Sequence, residues 1–138
     1  MKKITIIGTG YVGLVSGAGL AEFGHEVTCL DINEEKISEL NDGLIPIYEP
    51  GLKKLVSKNV KDKRLVFSSN IDSVIQQSRI IFIAVGTPQG KNGKADLTAV
   101  KQVVKKIIDN LNSYKIICTK STVPVGTGAW INNEISKN

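Results

Sequence analysis

The tightest constraint on this chain lies near its start. There an apolar run, Ile4-Thr5-Ile6-Ile7, passes without a spacer into Gly8-Thr9-Gly10-Tyr11-Val12-Gly13 and then into a helical pattern. A strand that must turn at once into a helix leaves little room for side chains. Gly8 permits the sharp turn, Gly10 lets a ligand phosphate approach the backbone, and Gly13 lets helix and strand pack closely. The N–H groups of the first helical turn have no partner within the helix and carry partial positive charge, so the arrangement suits a pyrophosphate.

A glycine motif alone is a weak indicator, and its context decides. The next strand-like run, Glu26-Val27-Thr28-Cys29-Leu30, ends on Asp31, at the roughly 20-residue distance where such sites carry an acidic residue. A carboxylate there accepts hydrogen bonds from ribose hydroxyls and repels a 2′-phosphate, which favours NAD over NADP. The competing reading leaves the glycines to serve only a turn and Asp31 only to cap the following helix; the order strand, motif, helix, strand, Asp speaks against it.

The rest of the chain continues the alternation. Strands are expected at Ile4 to Ile7, Glu26 to Leu30, Leu65 to Ser68, Ile80 to Val85 and Lys115 to Thr119. Helices are expected at Tyr11 to Phe23, Glu34 to Asn41, Leu52 to Ser57, Asp72 to Gln77, Leu97 to Leu111, and from near Gly128. Asn33, Asn70 and Asp96 are N-cap types, and Pro50 suits a first helical turn. Strands alternating with helices predict an α/β fold, a doubly wound parallel sheet of the Rossmann type. Five strands are found where that fold has six, so the 138 residues are expected to form a single dinucleotide-binding domain cut before its last strand.

Composition narrows the function classes. Apolar residues make up 41% and charged residues 22%, as in an ordinary globular chain, and no apolar run approaches the length of a membrane span. The basic start leads to a strand and no small-residue cleavage site follows it, so a cytoplasmic location is expected. The net charge of +5 raises the question of a nucleic-acid partner, but the lysines are scattered without a stripe or interleaved aromatics, and none is expected. Two cysteines, Cys29 and Cys118, sit in apolar runs and should be buried; with the single His25, read as a surface turn residue, they make no metal site.

Six motifs in order carry a resemblance over the whole chain. They are Gly8-Thr9-Gly10-Tyr11-Val12-Gly13-Leu14, Asp31-Ile32-Asn33 with Lys36, Pro46-Ile47-Tyr48-Glu49-Pro50-Gly51-Leu52, Val85-Gly86-Thr87-Pro88, Ala95-Asp96-Leu97, and Lys120-Ser121-Thr122-Val123-Pro124-Val125-Gly126-Thr127. Together they resemble the UDP-glucose/GDP-mannose dehydrogenases. That resemblance implies a parent enzyme that oxidises the C6 hydroxymethyl of a nucleotide sugar to a carboxylate, using two NAD molecules in succession and a thioester on a cysteine. UDP-glucose is the favoured sugar, with UDP-N-acetylmannosamine and GDP-mannose as alternatives, and the parent is expected to be a homo-oligomer.

Carried over by position, the resemblance implies that Tyr11 and Val12 line the pyrophosphate turn, that Asp31 holds the adenosine ribose, and that Lys36 lies beside it. Thr87 and Thr122 would face the nicotinamide half and the reacting sugar. Both also sit just past strand ends, where ligands bind in open α/β sheets. Thr122 could orient a catalytic water, or it could serve only the turn before Pro124. Glu49, ahead of Pro50, is read as a partner of a helix N-terminus more than as a substrate contact.

The family's acid/base glutamate, substrate-contacting lysine, nucleophilic cysteine and partner aspartate all correspond to positions past Asn138. The chain is therefore expected to bind NAD without completing the oxidation. Other hydroxyacid dehydrogenases share the glycine motif but should lack the Pro46 to Leu52 and Lys120 to Thr127 runs. A stand-alone dinucleotide-binding module is the non-enzymatic alternative.

Overall fold

The structure is a computed structural model and describes residues 1–91 and 93–137. Position 92 and position 138, the end of the predicted domain, lie outside the described residues. The described residues form five strands and six helices: β1 (Lys3–Ile7), α1 (Tyr11–Glu22), β2 (Glu26–Leu30), α2 (Glu34–Asn41), α3 (Leu52–Lys61), β3 (Leu65–Ser68), α4 (Ile71–Gln77), β4 (Ile80–Ile83), α5 (Thr98–Asp109), β5 (Ile116–Thr119) and α6 (Thr127–Ser136).

All strand pairs are parallel, in the order β3-β2-β1-β4-β5. These are the first five positions of the doubly wound order. The chain leaves β1 towards β2 on one side and returns through β4 on the other, so a crevice opens where the connections diverge.

Alternation along β1 divides the interior into two cores. Ile4 and Ile6 face one side, where Leu14, Ala18 and Ala21 of α1, Ile37 and Leu40 of α2, and Leu52 and Val56 of α3 cover the sheet. Ile7 and Leu30 face the other side, with Ile75 of α4, Val100, Val104 and Ile107 of α5, and Ile131 of α6. β4 serves both, sending Ile81 and Ile83 into the second core while Ile80 and Phe82 pack against the first. This matches the unbroken apolar run read in the sequence.

The predicted elements are all present, with several boundaries moved. α3 runs to Lys61 instead of Ser57. Polar Asn59, in the added turn, is fully buried and satisfied: its amide donates to Glu22 Oε2 and Leu55 O, both at 2.9 Å. Pro50 lies before the helix. Glu49-Pro50-Gly51-Leu52 form a turn closed by the Leu52 N–H on the Glu49 carbonyl at 3.1 Å, and Gly51 takes φ 82° as the cap. Asn33 and Asn70 cap α2 and α4 as expected, whereas Leu97 occupies the cap position of α5, and Asp96 reaches the helix start by accepting from Thr98 N–H at 2.9 Å. β4 ends at Ile83, two residues early. Cys118 on outer strand β5 is half-buried, as is His25, while Cys29 is fully buried.

Gly13 of α1 packs against the backbone of Gly8 with almost no room for a side chain. A Cβ on Gly13 would fall 1.8 Å from the Gly8 carbonyl oxygen, whereas one on Gly19, in the same helix, would meet nothing within 4 Å. Gly13→Ala is expected to destabilise the chain by more than about 2 kcal/mol, since backbone has to move. Gly19→Ala should stabilise it by up to about 1 kcal/mol through helix propensity. Urea unfolding of both variants beside the wild type checks the pair; equal midpoints would contradict the packing described.

Candidate functional site

The crevice at the carboxyl ends of the strands holds a cleft of about 700 Å³. One wall comes from the ends of β1 and β2, with Gly8, Thr9, Gly10, Leu30 and Asp31; the other comes from the end of β4 and from α5, including Ala84, Gly86, Gln102 and Val103. Lys36 of α2 and Lys105, Lys106 and Asp109 of α5 add charge at its rim.

The glycine loop shows what each glycine does. Gly8 has φ 107°, and a Cβ there would press on the Ala84 carbonyl oxygen at 2.6 Å. Gly8 and Gly13 are therefore dictated by the chain's own packing. Gly10 is different: φ −75° is open to any residue, and a Cβ there would meet nothing within 4 Å. It occupies the N-cap of α1 and makes no side-chain cap. The space a side chain would take there is open, at a helix start whose first N–H groups have no helical partner, which suits an incoming phosphate.

Asp31 is tied to that loop. Its Oδ2 accepts from Thr9 N–H at 3.0 Å and Thr9 Oγ1–H at 2.7 Å, with the Lys36 ammonium 3.4 Å away, and its Oδ1 accepts from Asn33 N–H at 3.2 Å. Partial burial pushes the carboxyl upward. The Thr9 hydroxyl, the Thr9 and Asn33 amides and the Lys36 charge outweigh that burial and hold it below its ordinary value. The group is therefore an anion at neutral pH, set at the end of β2.

The other predicted residues are placed as follows. Tyr11 and Val12 open α1, both exposed, and Tyr11 donates its hydroxyl to the Glu49 carboxylate. That hydrogen bond, followed by desolvation and the Glu49 charge, raises the phenol above its usual value. Glu49 thus accepts from the Tyr11 hydroxyl, correcting the expectation that it partners a helix N-terminus. Thr87 and Thr122 meet each other beyond the ends of β4 and β5, with Thr87 Oγ1–H donating to the Thr122 carbonyl at 2.8 Å. Neither lines the cleft around Asp31, although Gly86, next to Thr87 in the chain, does.

Two features escaped the sequence reading. Thr9 is 0% exposed and clamps Asp31, although the motif treats its position as variable; a hydroxyl between the two glycines was the available clue. The α5 wall carries no motif and could be assigned only once the sheet order was known. Burial pushes the Cys29 thiol up to about 12, which leaves it a protonated core residue. Among the described residues, no group of three or more His, Cys, Asp or Glu is placed to hold a metal ion, and no helix is long and apolar enough to cross a membrane.

Comparison with known proteins fits this geometry. Residues 2–138 match the model of the UDP-glucose/GDP-mannose dehydrogenase family, NAD binding domain. UDP-glucose 6-dehydrogenase TuaD of Bacillus subtilis (strain 168) is 59% identical over 137 residues, which are 99% of this chain and 30% of that protein. A UDP-glucose dehydrogenase from Pyrobaculum islandicum superposes with a TM-score of 0.92 at 32% identity, covering 99% of this chain and 33% of the other. A GDP-mannose dehydrogenase from Pseudomonas aeruginosa, solved as a ternary complex, superposes at 0.87 with 36% identity, covering 98% of this chain and 31% of that one. The chain spans about a third of the length of these relatives. Because the family match runs over nearly every residue, through both walls of the cleft, the chain belongs to the UDP-glucose/GDP-mannose dehydrogenase family and corresponds to its NAD binding domain.

Proposed function

We propose that the chain binds NAD in the β1–β4 crevice as the cofactor-binding part of an enzyme that oxidises UDP-glucose to UDP-glucuronate with two NAD. The observation that carries this reading is Gly10: the fold itself has room for a side chain there, and its absence makes sense for a phosphate seated on the N-terminus of α1. Gly8 and Gly13 shape the loop, and the N–H groups of Tyr11 and Val12 receive the pyrophosphate. Asp31, kept ionised, accepts the adenosine ribose hydroxyls and disfavours a 2′-phosphate, with Lys36 beside it. Thr87 holds the Thr122 loop against the end of β4, and Thr122 orients a water near the reacting carbon. The bound nicotinamide supplies the hydride acceptor.

The choice of UDP-glucose rests on the 59% identity to a UDP-glucose 6-dehydrogenase. The fold of this domain does not separate sugars, since a GDP-mannose dehydrogenase resembles it at 36% identity and a UDP-glucose dehydrogenase at 32%. We assign sugar binding and the nucleophilic cysteine to the length that the relatives have beyond the match, and we place the enzyme in the cytoplasm as a homo-oligomer without a nucleic-acid partner.

Calorimetric titration with NAD and NADP tests the cofactor reading. NAD should bind more tightly than NADP, and Asp31→Ala should abolish the preference. Gly10→Ala should leave unfolding within about 0.5 kcal/mol of wild type, as expected for a Cβ in open space, while weakening NAD at least about tenfold. An unchanged affinity in Gly10→Ala would remove the observation on which the reading stands.

Affinity should also respond to acid in a defined direction. The Asp31 anion is the competent form and its pKa is held below 3.8, so NAD binding should stay flat from about pH 8 to about pH 5 and fall only as pH drops through that lowered value. For the role within an enzyme, the chain replaces the matching third of the Bacillus subtilis relative, and NAD-dependent oxidation of UDP-glucose by the hybrid is measured. Restored activity is expected. A folded hybrid that binds NAD yet oxidises no UDP-glucose would contradict the reading of this chain as the cofactor-binding part of such an enzyme.

A further inference from the structure

Resting on the NAD reading, we propose that Thr9 is a positioning residue for the cofactor, which occupies one oxygen of Asp31 and leaves the other to receive the ribose. A carboxylate offers about four acceptor sites over two oxygens. Oδ2 already takes the Thr9 N–H at 3.0 Å and the Thr9 hydroxyl at 2.7 Å, and has Lys36 Nζ at 3.4 Å. Oδ1 takes one donor, the Asn33 N–H at 3.2 Å. Remaining acceptor capacity therefore lies on Oδ1, and a ribose hydroxyl is directed there.

Thr9 suits this role because it cannot wander. It is 0% exposed, lies between Gly8 and Gly10, and has both its donors on the same carboxylate oxygen. The two bonds also fix the distance between the loop that meets the pyrophosphate and the carboxylate that meets the ribose, two groups joined rigidly in the ligand. A hydroxyl at this position thus contributes to affinity without touching NAD. The charged groups facing Asp31 are Lys36 on α2 and, on the opposite wall of the cleft, Lys105, Lys106 and Asp109 on α5, with Lys106 also 3.5 Å from Asp72 of α4. None of these changes when Thr9 does.

The test compares Thr9→Val, Thr9→Ala and Thr9→Ser with the wild type by NAD titration between about pH 8 and about pH 4, with circular dichroism confirming the fold. Valine and alanine remove the hydroxyl and should weaken NAD about tenfold at neutral pH, the scale of one hydrogen bond to a charged group. They should also move the acid decline of affinity upward, because Asp31 loses a donor that stabilises its anion. Serine keeps the hydroxyl and should restore both affinity and a flat profile; a merely structural role for the threonine would not shift the pH profile. Two variants without the hydroxyl guard against one failing to fold. Hydroxyl-free variants with wild-type affinity and profile would overturn the inference alone, as would a serine variant as weak as the valine. A folded wild type that takes up no NAD would overturn the functional reading and this inference together.

Discussion

The near contact between the Gly13 backbone and the Gly8 carbonyl sets how closely α1 lies on the sheet. Everything at the top of the crevice follows from that spacing. It places the positive end of the helix over the end of β1, keeps Leu14, Ala18 and Ala21 against Ile4 and Ile6, and brings Thr9 within reach of the last residue after β2. A larger residue at either glycine would lift the helix, and the core below and the binding loop above would be disturbed at once.

Around that loop the electrostatics are divided by height. The helix start is an electropositive end with no side-chain cap, and a carboxylate held firmly in its ionised state stands one strand away. Under the proposed NAD reading, the opposite demands of one ligand, an anionic pyrophosphate and a hydroxyl-bearing ribose, would meet fixed partners separated by the strand spacing. Little has to reorganise for either, since Thr9, Asn33 and Lys36 already hold Asp31 in place.

Much of this was legible in the residues themselves. The glycine spacing, the Asp after the second strand and the alternation of β-branched runs with helical ones gave the sheet type, and the NAD assignment agrees with the family match. What could not be read depended on distant partners. Asn59 extends α3 because Glu22 satisfies it, and Glu49 turns to Tyr11 because α1 and α3 lie together. The α5 wall joins the cleft only because β4 and not β3 is the neighbour of β1. Neither composition nor periodicity carries such pairings, whereas a local rule such as an Asn cap at Asn33 or Asn70 is read directly.

The central place of β1 has a consequence for assembly. β2 pairs with it across a short excursion, but β4 arrives from more than half the chain's length away. As the polypeptide is synthesised, β1, β2 and β3 with α1, α2 and α3 can bury one face together. Ile7 and Leu30, on the opposite face, have no cover until α4, β4 and α5 emerge. The crevice thus closes only after these later elements join, so the half-made protein presents an apolar face while it has no complete cleft, and the β1–β4 pairing carries a loop-closure cost that local helix formation does not.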